Sequence, residues 1–283
     1  MIISIASGKG GTGKTTVAVN LALSAERVLT LADCDVEAPN AHLFFPVCYA
    51  ASRSFSMKVP VINRQRCTLC GECSAFCAYN ALAVLEEKVL LFQDLCHSCL
   101  GCASVCPEKA ISFRERPIGK IEKGEIPRGG GKPALHFIRG EALVTEHRGK
   151  FLIRALKDHI DRNMDALIDC PPGTVLAAEA MRGSGAVLIV AEPTVFGLSD
   201  MARILELSRA MALRVLVVIN KSGAHDQMIE EFCAARGVEL LGRVPYDLQI
   251  ARSASKGSAI SGEHDRYCSL FKSILERVTV LCS

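Results

Sequence analysis

Residues 2–6, Ile-Ile-Ser-Ile-Ala, run into Gly8-Lys9-Gly10-Gly11-Thr12-Gly13-Lys14-Thr15-Thr16, and an alanine- and leucine-rich stretch continues to Ala25. A short apolar β-rich run, a glycine loop and a helical stretch read as strand, loop, helix. Gly8, Gly13, Lys14 and Thr15 satisfy G-x4-G-K-[ST] in the strand-to-helix context that pattern requires. Its glycines let backbone N–H groups turn inward on phosphate oxygens at the positive end of the following helix. In such a loop Lys14 reaches the β- and γ-phosphates and the Thr15 hydroxyl binds Mg2+.

Outward from this loop the chain alternates. Val28 to Ala32 reads as a second buried strand ending at Asp33-Cys34-Asp35, before a loop with Pro39 and Asn40. The alternation resumes at Phe151 with a helix to Arg162, a strand over 165–168 ending at Asp169, and a helix after Pro171-Pro172-Gly173. Strands over 186–191, 215–219 and 238–244 then alternate with helices over 198–211, 226–236 and 265–280. Continuous rather than alternating apolar strands predict an α/β fold, a parallel sheet with helices on both faces. The intervening chain differs, and the reading is residues 1–60 as the first part of this domain, 61–115 as an insertion, 116–150 as a hairpin-like return segment with loose ends, and 151–283 as the second part.

The insertion is defined by cysteine. Eight of the 14 cysteines form two runs, Cys67, Cys70, Cys73, Cys77 and Cys96, Cys99, Cys102, Cys106, each reading C-x2-C-x2-C-x3-C. Tetrahedral zinc uses paired C-x2-C knuckles and has no use for a third and fourth cysteine at this spacing. The close C-x2-C-x2-C spacing lets three sulfurs converge on three irons of one cubane. The other six, Cys34, Cys48, Cys170, Cys233, Cys268 and Cys282, are scattered.

Composition narrows the rest. A 49% hydrophobic content in 283 residues is enough for a sizeable core, so disorder is excluded. With 33 basic and 30 acidic side chains the net charge is +3, which favours neither nucleic acid nor an anionic membrane. The longest apolar stretches fall far short of a spanning helix, no signal peptide is visible, and a cytoplasmic location is expected.

The string from Lys9 to Thr16 resembles the deviant P-loop of the MinD/ParA/Mrp ATPases, marked by a second lysine, here Lys9. The resemblance implies ATP or ADP with Mg2+, bound by Gly8, Gly10, Gly11, Thr12, Gly13, Lys14, Thr15 and Thr16, and a homodimer that sandwiches ATP, with Lys9 reaching the partner's nucleotide. Asp33-x-Asp35 with Asn40 is similar to the family's switch I, with Asp35 orienting the attacking water and Asp33 near the Mg2+ shell. Asp169-Cys170-Pro171-Pro172-Gly173-Thr174 looks like switch II of the Mrp branch, Asp169 being the carboxylate on Mg2+. Lys9, Lys14, Asp35 and Asp169 thus carry the implied hydrolysis, while Asn220, Pro245 and Asp247 match where relatives contact adenine.

The cysteine runs resemble bacterial ferredoxins, in which the fourth cysteine of one run serves the other cluster. That implies one 4Fe-4S cluster on Cys67, Cys70, Cys73 and Cys106 and another on Cys96, Cys99, Cys102 and Cys77, within an α+β ferredoxin-like domain. Pro107 follows Cys106 as that pattern expects, whereas Ala78 follows Cys77. The combination is similar to MinD-superfamily ATPases with an inserted ferredoxin domain. The leading expectation is an ATPase whose nucleotide state gates electron transfer to an unnamed redox or cluster-accepting protein. One alternative is an ATP-dependent iron-sulfur or metal-cluster carrier. Another is a MinD-like ATPase cycling on a membrane through an amphipathic last helix with Leu270, Phe271, Ile274, Leu275, Val278 and Leu281 on one side.

Overall fold

The structure, a computed structural model, describes residues 1–144 and 146–282. Thr145 and Ser283, which fall in the segments read as 116–150 and 151–283, lie outside them. The strands in chain order are β1 (Ile2–Ala6), β2 (Thr30–Asp33), β3 (Cys48–Ile62), β4 (Leu82–Val84), β5 (Val89–Leu91), β6 (Ile111–Ile126), β7 (Leu135–Ala142), β8 (Ala166–Asp169), β9 (Ala186–Ala191), β10 (Arg214–Ser222) and β11 (Glu239–Pro245). One nine-stranded sheet has the order β11-β10-β9-β1-β8-β2-β7-β6-β3, and β4 pairs with β5 alone.

From β11 through β7 every neighbouring pair is parallel. These strands are apolar without alternation because both faces are covered: β1, β2, β8 and β9 are buried along almost their whole length. The helix Lys14–Ser24 packs with the last helix, Asp265–Cys282, and the helices Gly149–Lys157, Val175–Met181 and Val195–Ala210 pack in sequence with one another. The expectation of a wholly parallel sheet is corrected, because the central sheet is mixed. β6 returns to β7 through the short link 127–134, too short for the crossover that a parallel pair needs. The segment read as a loose return is therefore mostly strand.

The last helix is a core helix. Phe271, Ile274, Leu275 and Val278 are buried, and Leu270 and Leu281 pack against the same cluster as Ile3, Val17, Leu21 and Leu31. Complete burial of a side chain such as Phe271 contributes on the order of 1.5–3 kcal/mol. The apolar stripe is thus occupied within the fold, and no helix among the described residues is long and apolar enough to cross a membrane.

The chain divides into two compact units. The first comprises Met1–Arg53, Ile121–Glu141 and Gly149–Ser283, and the second comprises Ser54–Lys120 and Ala142–Arg148. Two of the boundaries fall inside β3 and β6. The second unit is small: its buried cluster is Cys73, Leu82 and Cys102, with Ile62, Val89, Leu91, Ile111 and Phe113 packed against it.

Candidate functional site

The loop after β1 is shaped by close approach. Gly11 and Gly13 have φ of 80° and 88°, the left-handed region where glycine alone is unstrained. A Cβ on Gly13 would meet Asn220 Nδ2 at 2.1 Å, and one on Gly8 would meet the Asp200 carbonyl oxygen at 2.6 Å. Thr12 Oγ1 donates to Ser7 Oγ at 2.7 Å, and Lys14 Nζ donates to Ser7 Oγ at 3.0 Å and to the Lys9 carbonyl at 3.2 Å. Thr15 and Thr16 lie in the first turn of the helix, which carries no acidic side chain there, so its free N–H groups face an anion unopposed. Lys9 is more open, its side chain 40% exposed and its ammonium 3.9 Å from Glu192.

β2 and β8 end side by side, and their register pairs Asp33 with Asp169. Asp33 is fully buried and accepts three backbone N–H groups: Asp35 on Oδ1 at 3.1 Å, Asn40 and Ala41 on Oδ2 at 3.0 Å each. It therefore fixes the loop 34–41 directly. Asp169 is equally buried, and neither of its oxygens meets ordinary hydrogen-bond geometry among the described residues, though the Thr15 hydroxyl is close enough to favour its charged form. Burial holds the Asp169 carboxyl well above the ordinary carboxylate range, Asp33 adding to the rise while Thr15 and Lys14 oppose it. Burial likewise pushes Asp33 up to about 7 and Asp35 up to about 6, Lys14 opposing the latter. Burial lowers the Lys14 ammonium against the pull of Asp169 and Asp35. Asp169 and Asp35 both act on the Lys14 ammonium, and carboxylate oxygens of this kind are the donors a hard divalent cation such as Mg2+ takes. Thr15, at the start of the helix, brings a hydroxyl to the Asp169 carboxyl.

The three residues expected at adenine differ in placement. Asn220 ends the buried part of β10, and its Nδ2 donates to the Thr12 carbonyl at 2.7 Å, so its amide shapes the phosphate loop. A register shift between Asn220 and Ser222 leaves Lys221 at φ 56°, and its ammonium reaches the Gly11 carbonyl at 3.0 Å and Glu192 at 3.2 Å. Pro245 closes β11. The Asp247 carboxylate caps the next helix through Gln249 N at 2.7 Å and also holds Arg266 at 2.7 Å and the Tyr267 hydroxyl. Sequence reading missed Ser7 and Glu192. Glu192 follows the apolar run of β9, the strand beside β1, and that position was the available signal.

In the second unit two cavities sort the eight cysteines. One is lined by Cys67, Cys70, Cys73 and Cys106. The other is lined by Cys77, Cys96, Cys99 and Cys102. Each takes three sulfurs from one run and the fourth from the other. The two runs also share a backbone: Leu69 and Ser98, Gly71 and Leu100, and Asn80 and Lys109 occupy equivalent positions, all with positive φ. The N–H of Ala81 donates to Cys77 Sγ and that of Ala110 to Cys106 Sγ, each at 3.3 Å. Non-glycine residues in the left-handed region cost on the order of 1–2 kcal/mol each, so the repetition marks a geometry imposed on both loops. Among the described residues no group of three or more His, Cys, Asp or Glu could grip a single metal ion.

Residues 3–260 match the family described as the CobQ/CobB/MinD/ParA nucleotide binding domain, and the chain belongs to that family. An uncharacterised protein of Methanocaldococcus jannaschii is 29% identical over 272 residues, covering 94% of this chain and 93% of that one. An iron-sulfur cluster carrier protein of Aquifex aeolicus is 24% identical over 93% of this chain and 62% of its own length. A ferredoxin of Pyrobaculum islandicum is 40% identical over 67 residues, 23% of this chain and 63% of the ferredoxin. Among solved structures, the cell division ATPase MinD of Pyrococcus furiosus superposes with a TM-score of 0.56 at 22% identity, covering 99% of this chain and 98% of that one, which establishes the shared fold.

Proposed function

We propose that this chain is an ATP-hydrolysing MinD/ParA-family protein whose nucleotide state gates electron transfer through two 4Fe-4S clusters in the second unit. The observation that carries the reading is the sorting of the cysteines into two cavities, three from one run and one from the other in each. The C-x2-C-x2-C-x3-C spacing speaks against zinc, which uses paired C-x2-C knuckles, whereas four thiolates on four separate irons suit it. Cys67, Cys70, Cys73 and Cys106 would hold one cluster and Cys96, Cys99, Cys102 and Cys77 the other. When bound, such clusters supply one-electron chemistry at low potential. The similarity to a ferredoxin over 67 residues supports the same reading.

The chain's own residues divide the nucleotide work. Lys14 and the N–H groups of the loop neutralise phosphate charge, Thr15 and Asp169 hold Mg2+, and Asp35 orients the attacking water. Asp33 positions the loop that carries Asp35, and Asn220 keeps the phosphate loop open to its ligand. Lys9, exposed at the rim, reaches the nucleotide of a second copy in an ATP-dependent homodimer. No nucleic acid or stable membrane association enters this scheme, and the protein is placed in the cytoplasm.

A carrier role is the second reading, favoured by the similarity to the Aquifex carrier over 93% of the chain. Burial of Cys34, Cys170 and Cys233 in the first unit counts against a cluster shared between subunits. The test is a redox titration of anaerobically prepared protein with MgADP and again with a slowly hydrolysed MgATP analogue. A shift in cluster potential between the two states is expected. Identical potentials, with nucleotide bound in both, would turn the reading to cluster delivery.

A further inference from the structure

Arg139 lies on β7, directly opposite Asp33 of β2 in the register of the two strands. It is 9% exposed, and its guanidinium is fully engaged. Nε donates to Glu122 Oε2 at 2.8 Å, Nη2 lies 2.6 Å from the same oxygen and 3.4 Å from Glu141 Oε2, and the Cζ stands 5.6 Å from the centre of the Tyr49 ring. The remaining nitrogen, Nη1, is 2.9 Å from His42 Nδ1. Arginine has no acceptor, so this ring nitrogen must carry the lone pair and His42 is the neutral tautomer protonated at Nε2.

The five residues join two different parts of the chain. His42 belongs to the short helical turn Ala41–Phe44, whose first residue, Ala41, donates its N–H to Asp33. The turn is thus the continuation of the loop that carries Asp35. Tyr49, Glu122 and Glu141 stand on β3, β6 and β7, and the chain passes between its two units at 53/54, 120/121 and 141/142. Three of the four passages therefore have a residue on Arg139 within the same strand, Glu141 at the boundary itself and Glu122 next to one. The remaining passage is at 148/149.

We infer that Arg139 is a positioning residue that couples the switch I loop to the strands leading into the cysteine-bearing unit. The inference rests on the reading that the state of the nucleotide is felt by that unit. A change in the loop 34–41 on exchange of nucleotide moves the turn Ala41–Phe44, and His42 transmits it to a guanidinium already shared by β3, β6 and β7. A buried fork held on fixed carboxylates is suited to this role, since it has few alternative partners and responds as a unit. Lysine in its place keeps the charge but loses the fork.

The test compares wild type with Arg139→Lys and with His42→Ala, which removes the contact to the loop and leaves the pairing with Glu122 intact. Hydrogen exchange is followed on cluster-loaded protein with MgADP and with a slowly hydrolysed MgATP analogue, and cluster potentials are read on the same samples. In wild type, exchange at 7–16 and at 118–126 is expected to respond to the nucleotide. In both variants the response at 7–16 stays and that at 118–126 is lost, together with the nucleotide-dependent shift in potential. Retention of the 118–126 response in either variant, or its absence from wild type, overturns the coupling role. Loss of the potential shift alone from wild type, with the 118–126 response present and Arg139-dependent, overturns redox gating and leaves the role of Arg139 standing.

Discussion

Asp33 and Asp169 stand side by side across the β2–β8 pair, and their oxygens are used in opposite ways: those of Asp33 accept three backbone N–H groups and those of Asp169 accept none. One buried carboxyl is committed to holding a loop. The other is open to a ligand, an asymmetry that their matching positions at strand ends do not show.

Asp169→Asn is expected to remove the Mg2+-dependent part of nucleotide affinity while leaving the fold intact. The substitution keeps the shape and deletes a charge that has no hydrogen-bond partner. Titrations of ADP with and without Mg2+ check it. A variant whose affinity still rises with Mg2+ would exclude Asp169 as a ligand.

The same carboxyls set a pH dependence. Asp33 at about 7 and Asp35 at about 6 lie above the value of about 3.9 for an unfolded aspartate, so the folded metal-free protein binds these protons more tightly than the unfolded chain. Their contribution to stability is full below pH of about 4 and is lost as the pH rises through about 6 and 7. Thermal unfolding in chelator should show a falling midpoint over this window. A nearby divalent cation favours the ionised form of these carboxyls, so affinity for MgADP is expected to climb with pH over the same interval.

Iron content distinguishes crossed from uncrossed cysteine sets. Cys106→Ala and Cys67→Ala are each expected to abolish the same cluster, so the double variant loses no more iron than either single one. Cys106→Ala with Cys96→Ala should lose both clusters. This is the non-additivity of residues that act on one group, read against additivity for independent ones. If Cys106 instead paired with Cys96 in its loss of iron, the crossed assignment would fail.

Asn220 separates loop shaping from base recognition. Its amide donates to the Thr12 carbonyl, so Asn220→Ala is expected to weaken ATP and GTP by similar factors, on the order of tenfold for one lost buried hydrogen bond. A change in the ATP-to-GTP preference would point to direct contact with the base.

The parallel body was legible because its strands are short, apolar and buried on both faces. Those over 186–191 and 2–6 need no context to be recognised. β3 and β6 were not legible, for a physical reason: both are long, β3 is largely exposed and β6 lacks a regular apolar pattern, and they carry Pro60, Pro117, Gly119 and Gly124, which ordinarily argue against strand. Gly124 is explained only in three dimensions, since a Cβ there would meet the Cys48 carbonyl oxygen at 2.5 Å. The helix Leu248–Ser255 was missed because its sequence, rich in serine and followed by Lys256-Gly257, reads as a loop. The crossed division of the cysteines came from the resemblance to ferredoxins, since spacing alone shows two runs and not which cysteine of one serves the other. The contacts of Asn220 and Asp247 depend on side chains that meet across more than a hundred residues or across a helix start, and no local pattern encodes them.

That two of the four divisions between the units fall inside β3 and β6 bears on how this architecture can be taken apart. Cutting out Ser54–Lys120 would sever two strands in mid-course and leave ragged sheet edges in place of a healed turn. A version of the protein without the cysteine-bearing unit therefore has to rebuild a β-hairpin from the stumps at 53 and 121, and its gain or loss during descent would require strand remodelling as well as insertion.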